Sequence, residues 1–189
     1  MKKYPQRVMT EGEMDVALSK LAAEILQDHP KLEDTLIVGI RRRGVPLAEL
    51  LQERIAARVG KRVECGSLDI TFYRDDFSLV ATQPVVHGSV LPFPIDRKKI
   101  LLVDDVLYTG RTIRAALESI LDYGRPDKVK LVVLVDRGHR ELPIQADYVG
   151  VVIETAEDEV VEVRLPPVDN KRAVYLSTLE LMQQGDGDD

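Results

Sequence analysis

Asp104 and Asp105 stand side by side after four apolar residues, Ile100 to Val103, and Tyr108-Thr109-Gly110-Arg111-Thr112 follows within a few positions. Adjacent carboxylates accept hydrogen bonds from neutral hydroxyls or hold a divalent cation, and they repel a phosphate. The small polar turn does the opposite. Where such a turn opens a helix, unpaired N–H groups and the positive end of the helix dipole attract an anion. Thr109 and Thr112 add hydroxyls, and Gly110 lets the backbone approach closely. One ligand satisfies both halves: a sugar with a vicinal diol at one end and a phosphate at the other. Ribose 5-phosphate fits that description. Neither GxxxxGK[ST] nor GxGxxG occurs, which excludes the Walker phosphate loop and the dinucleotide fingerprint.

Positioning these groups requires a strand, a turn and a helix, and the flanking sequence supplies them. Ile100–Val103 reads as a buried strand. Ile113, Ala116, Leu117, Ile120 and Leu121 form a helical stripe that Gly124 and Pro126 stop. The pattern repeats along the chain. Met14, Leu18, Leu21, Ala22 and Ile25 share a helical face that ends at Asp28-His29-Pro30. Thr35–Ile40 is a short buried strand. Pro46 sits in the first turn of a helix carrying Leu47, Leu51, Ile55 and Val59, and Gly60 ends it. Val63–Thr71, Val129–Val135, Tyr148–Ile153, Val160–Leu165 and Val174–Ser177 read as further strands. Strands alternating with amphipathic helices give an α/β fold with a mostly parallel sheet, whose ligands bind at the carboxyl ends of the strands. Phe77–Pro94 has no sustained periodicity and reads as a long, partly mobile excursion.

Three other clusters lie between these elements. Arg41-Arg42-Arg43-Gly44 joins a strand to a helix, where guanidiniums can grip a polyanion or form a solvated basic turn. Tyr73-Arg74-Asp75-Asp76 opens the excursion, and Val135-Asp136-Arg137-Gly138-His139-Arg140 follows a buried strand. His139 and His87 have no partner at metal-ligand spacing. Glu154, Glu157, Asp158 and Glu159 read as an acidic, solvated stretch.

The 189 residues suit one domain over residues 1–184, with an acidic, Gly-rich, disordered tail at 185–189. The net charge of −6 argues against a general nucleic-acid binder. Cys65 stands alone, which rules out an internal disulfide, and reads as a packed small hydrophobe. No apolar run is long enough to span a membrane and no signal core opens the chain, so the expected location is cytoplasmic.

Ile100 to Thr112 resembles the phosphoribosyl pyrophosphate (PRPP) motif of type I phosphoribosyltransferases. Leu68 to Asp76 and Leu134 to Ile144 are similar to the PyrR family: uracil phosphoribosyltransferases that also regulate pyrimidine operons by binding messenger RNA. The resemblance implies the type I phosphoribosyltransferase fold, with a mobile loop and a small hood. It implies PRPP, uracil and UMP or UTP as ligands, Mg2+ as cofactor, and a homodimer or homotetramer. It implies that Arg41, Arg42, Arg43, Gly44, Asp104, Asp105, Val106, Leu107, Tyr108, Thr109, Gly110, Arg111, Thr112 and Arg137 bind PRPP. Asp104, Asp105 and Arg74 then serve catalysis, Arg74 from a loop that folds over the reacting centre. Asp104 and Asp105 reach the metal mostly through substrate and water.

The chain departs from that family in places. Arg41-Arg42-Arg43-Gly44 stands where Lys-Thr-Arg-Gly is common, and Ile153-Glu154-Thr155-Ala156 where Ile-Pro-Thr-Ser is usual. On the surface that faces RNA in the family, Ala23, Gln145 and Val151 replace His, Arg and Lys, while Ser19, Arg140 and Arg7 stay polar or basic. Those losses predict weak or absent binding of a pyrimidine-operon leader, because each removes a donor or charge available to phosphate. Two alternatives stay open: an RNA-binding transcription attenuator with little catalysis, and a phosphoribosyltransferase for another base, such as hypoxanthine or guanine, which shares the core motif.

Overall fold

The computed structural model describes residues 5–74 and 88–181. A short strand, β1 (Gln6–Met9), leads into α1 (Glu11–Asp28). Thr10 and Glu13 exchange side-chain and backbone bonds there in a capping box, which satisfies two otherwise orphaned amides. Then come β2 (Thr35–Ile40), α2 (Gly44–Val59), β3 (Glu64–Leu68) and a 3-10 turn at Thr71–Tyr73. β4 (Lys99–Leu107), α3 (Arg111–Tyr123), β5 (Lys128–Asp136) and β6 (Tyr148–Val152) complete the central layer. β7 (Glu159–Arg164) and β8 (Ala173–Thr178) close the chain.

Five strands form one parallel sheet in the order β3-β2-β4-β5-β6. β1, β8 and β7 form a separate antiparallel hood. Alternation along the central strands feeds two cores. Ile37, Leu101, Val103, Val132 and Leu134 meet the buried faces of α1 and α2 and the inner face of the hood, including Val161, Val163, Val174 and Leu176. Leu36, Val38, Ile100, Leu102 and Val133 meet α3 and the returning segment that carries Phe93 and Ile95. Burying both faces explains why the central strands read as unbroken apolar runs. Among the described residues, no helix is long and apolar enough to cross a membrane.

Several expectations need correction. The motif strand runs past Val103 to Leu107, because Asp104 and Val106 still pair with Val133 and Val135. The strand expected over Val63–Thr71 stops at Leu68, where the Asp69 carboxylate accepts the Thr71 amide at 3.0 Å and turns the chain. Val59 and Leu121, assigned to apolar helix faces, are exposed, and Ala115 is buried instead. Part of the Phe77–Pro94 excursion, with His87, lies outside the described residues. Its described end forms no regular element but is tied down: Val90 bridges Ser67 and Phe93 is buried. Glu159 is buried rather than solvated and accepts the Ala156 amide at 2.8 Å. The short strand β1 carried no readable signal, since two of its four residues, Gln6 and Arg7, are polar and exposed. The tail at 185–189 lies outside the described residues.

Candidate active site

From β2 the chain moves outward to β3, then returns to place β4 on the opposite side of β2. That reversal makes a crevice at the carboxyl ends of β2 and β4, where ligands bind in open parallel sheets. The turns after these two strands are the arginine run and the phosphate-binding candidate.

Tyr108 to Gly110 links β4 to α3. Gly110 caps the helix at φ 91°, a left-handed conformation that leaves no side chain over the helix end. A Cβ there would lie 3.3 Å from the Ile144 Cβ, so the turn is tightly covered from one side. The cover is the segment after β5. The Thr109 carbonyl accepts the amides of Glu141 at 3.0 Å and Leu142 at 3.1 Å. The Thr109 hydroxyl accepts the Arg111 amide at 3.3 Å, and Arg111 reaches Glu141 at 2.6 Å. Thr112 is exposed in the first turn of α3. Gly110, Arg111 and Thr112 thus sit where an anion meets backbone donors. Val106 and Leu107 do not extend this cradle. They are ladder residues packed towards the two cores, and the Leu107 carbonyl is taken by the Arg137 amide at 3.1 Å.

Asp104 is 6% exposed, and one of its oxygens accepts the Asp105 amide at 3.0 Å. Burial raises the Asp104 carboxyl well above the usual carboxylate range, and the adjacent Asp105 adds to the effect. Burial also raises Asp105, against the opposing pull of Arg43. Among the described residues, no three His, Cys, Asp or Glu side chains gather into a metal cage. The donor set is therefore a pair of neighbouring acids. That pair fits a Mg2+ ion whose other ligands are substrate oxygens and water, since Mg2+ dehydrates reluctantly.

After β2, Arg41 donates its backbone amide to Leu68 and its guanidinium to the Ser67 hydroxyl at 3.4 Å; its Nε is buried without a partner. Arg42 is exposed. Arg43 differs. Its Nε and Nη2 each donate to Asp169 at 3.0 Å, and that pair is what chiefly raises the guanidinium's pKa. Gly44 opens α2 in contact with β4: a Cβ on it would lie 2.5 Å from the Val103 carbonyl oxygen and 3.3 Å from the Asp104 Cα. This position requires glycine for close approach, and it places the arginine turn directly against the carboxylate strand. Arg41, Arg42, Pro46, Pro167 and Val168 help to line a cavity of about 260 Å3.

Arg137 is buried, and burial lowers its pKa. It donates to the Thr155 hydroxyl at 3.2 Å and to the carbonyls of Ala156 and Glu159, and its guanidinium lies 4.0 Å from the Tyr108 ring centre. It therefore joins the turn after β4 to the segment after β6. His139 bonds the Thr155 carbonyl at 2.7 Å. Arg140, a candidate for RNA contact, donates to the carbonyls of Tyr108, Gly138 and Ile144 and to Asp136. Its fork braces the phosphate turn from within the molecule. Ser19 is half-buried on α1, with its carbonyl accepting from Arg58 at 3.1 Å. Arg74 is exposed at the end of the 3-10 turn, and Arg114 holds that turn by donating to the Tyr73 carbonyl at 2.9 Å. The loop Arg74 was expected to open, including Asp75 and Asp76, lies outside the described residues.

Asp169 and Arg114 were not singled out from sequence, and Thr155 and Glu159 were named there without their contacts to Arg137. Each is joined to the site across many residues of chain, 126 in the case of Arg43 and Asp169.

Comparison with known proteins agrees with this geometry. Residues 11–170 match the phosphoribosyl transferase domain family. The chain is 48% identical over 173 residues to the bifunctional protein PyrR of Acetivibrio thermocellus, covering 92% of this chain and 94% of that protein. It is 52% identical over 165 residues to PyrR of Pelotomaculum thermopropionicum, covering 87% and 91%. Among solved structures, a Trypanosoma cruzi hypoxanthine phosphoribosyl transferase superposes with a TM-score of 0.74 over the full length of both chains at 16% identity. A Staphylococcus aureus hypoxanthine phosphoribosyltransferase gives 0.69 at 21%, covering 93% and 94%. At those identities the likeness speaks to the type I phosphoribosyltransferase fold alone. With carboxylates, helix-capping turn and arginine run gathered at one switch point, and relatives matched along nearly their whole length, the chain belongs to the phosphoribosyl transferase domain family and, within it, to the PyrR proteins.

Proposed function

We propose that the protein transfers the phosphoribosyl group of PRPP to uracil N1, giving UMP and pyrophosphate. One observation carries this reading: the buried Asp104 and its half-buried neighbour Asp105 lie near the carboxyl end of β4, whose next turn, capped by Gly110, presents a helix N-terminus. The amides of Gly110 to Thr112 hold the 5′-phosphate. Asp104 and Asp105 accept the ribose hydroxyls and favour positive charge developing on the sugar ring. Arg41 and Arg42, which help to line the cavity beside their turn, face the diphosphate. Bound Mg2+ supplies charge neutralisation on the diphosphate and ribose oxygens, with Asp104 and Asp105 as the protein side of its shell. Orientation and fixed charge do the catalytic work, without a covalent nucleophile. Arg74 brings a further cation to the departing diphosphate. The protein acts in the cytoplasm as a homodimer or homotetramer, which light scattering reads directly.

The test is a panel of uracil, orotate, hypoxanthine and guanine, each with PRPP and Mg2+. UMP from uracil is expected. Consumption of hypoxanthine or guanine with uracil untouched would overturn the base assignment.

The relatives are called bifunctional, and regulation through a uridine-nucleotide-dependent RNA contact is the second reading for this chain. Its RNA affinity is reduced, because Ala23, Gln145 and Val151 bring no charge and Arg140 is occupied internally. A gel-shift titration with a pyrimidine-operon leader plus UMP measures it. Tight binding would show that these positions are dispensable.

A further inference from the structure

Asp169 lies in the turn between β7 and β8, closed by its own contacts. Its carboxylate accepts the Leu165 amide at 2.7 Å, and its amide donates to the Leu165 carbonyl at 2.8 Å. The same carboxylate takes both arms of the Arg43 fork, with side-chain exposures of 29% for Arg43 and 15% for Asp169. Burial works to raise the Asp169 carboxyl, but the bonds from Arg43 and Leu165 outweigh it and hold it below the usual range. Arg43 immediately precedes Gly44, where an added Cβ would lie 2.5 Å from the Val103 carbonyl oxygen and 3.3 Å from the Asp104 Cα. The ion pair therefore fastens the hood at the point where the arginine turn meets the carboxylate strand. A bidentate pair fixes direction as well as distance, and a lysine could not reproduce it.

We infer that Asp169 is a positioning residue for the diphosphate turn: by capturing Arg43 it anchors the hood to that turn and leaves Arg41 and Arg42 to meet the diphosphate. The inference rests on the phosphoribosyl-transfer reading and assigns Arg43 to scaffold rather than to ligand. If Arg43 bound diphosphate itself, its loss would weaken PRPP far more than the loss of Asp169. If it is scaffold, the two losses are equivalent and do not add.

The experiment compares D169N, R43A and the double variant by steady-state kinetics with uracil, by calorimetric PRPP binding with Mg2+, and by hydrogen exchange on unliganded protein. Each single variant should raise the KM and Kd for PRPP about tenfold while kcat changes less than about threefold, and the double variant should match the singles. Exchange should quicken at residues 41–46 and 165–169 and stay unchanged at 108–112. Additive losses, an R43A defect tenfold beyond that of D169N, or unaltered exchange at 41–46 would each overturn the inference. Absence of PRPP binding by the unmodified protein would instead overturn the reading of the reaction, and the exchange data would still decide the anchor.

Discussion

The turns after β2 and β4 flank one crevice, yet they are built on opposite plans. The β4 turn offers backbone: a left-handed Gly110, a helix end, and a Thr109 carbonyl tied to the segment just after β5. The β2 turn offers side chains, and one of its three guanidiniums is anchored to Asp169 beside the hood strands. A backbone site writes its requirements into adjacent residues, because glycine, hydroxyls and helix pattern must occur in register. A side-chain site needs only arginines locally and takes its geometry from distant partners. Substitution should thus act on the two turns by different routes.

The largest effect tests what both turns serve. D104N should lower turnover by about 10²–10³-fold, as loss of a preorganised electrostatic group does. It should also stabilise the fold. Because burial raises the Asp104 pKa above its unfolded value, the folded chain binds more protons between the two values. Stability therefore declines as pH rises out of the ordinary carboxylate range through the folded value. Removing the charge relieves that loss at neutral pH, and calorimetry should show Tm higher by about 2–4 °C, the shift for roughly 1 kcal/mol at this size. Full turnover in D104N would end the proposed role.

Next come the two glycines. In G44A the added Cβ would lie 2.5 Å from a backbone oxygen, so the strand and helix must move apart, costing about 3 kcal/mol. G110A meets only side-chain atoms at 3.3 Å or more but must hold a positive φ, costing about 1 kcal/mol. Denaturant titration ranks the two; the reverse order would show that the β4 turn is the more rigid. The smallest effect is expected from R140K, which loses the fork that braces Tyr108, Gly138 and Ile144. Stability should drop by about 1 kcal/mol and the KM for PRPP should rise about threefold. A leader-RNA affinity that collapses in R140K while KM stays constant would return Arg140 to the RNA surface.

The parallel sheet, its helices and the phosphate turn were legible because their signals are local. Ile100 to Val103 is an apolar run, Thr109-Gly110 is a small polar turn, Ile113 to Ile120 has helical spacing, and Gly124 is a helix stop. What was missed depends on partners far away in the chain. Asp104 and Asp105 read as a strand end because charged residues prefer solvent, yet pairing with β5 carries them inside the sheet. Glu159 shares its stretch with solvated Glu157 and Asp158, and only the buried Ala156 and Arg137 contacts distinguish it. Arg43 looked like its two neighbours until Asp169 came beside it.

The hood joins Gln6–Met9 to Ala173–Thr178, so its first and third strands come from near opposite ends of the described chain. A ribosome making this protein emits the β2 and β4 turns long before it emits the strand that zips the hood shut. The nascent chain can assemble its sheet, but it holds an unroofed crevice until β8 emerges. Removing the first nine residues strips one edge of that roof and leaves the turns after β2 and β4 in place.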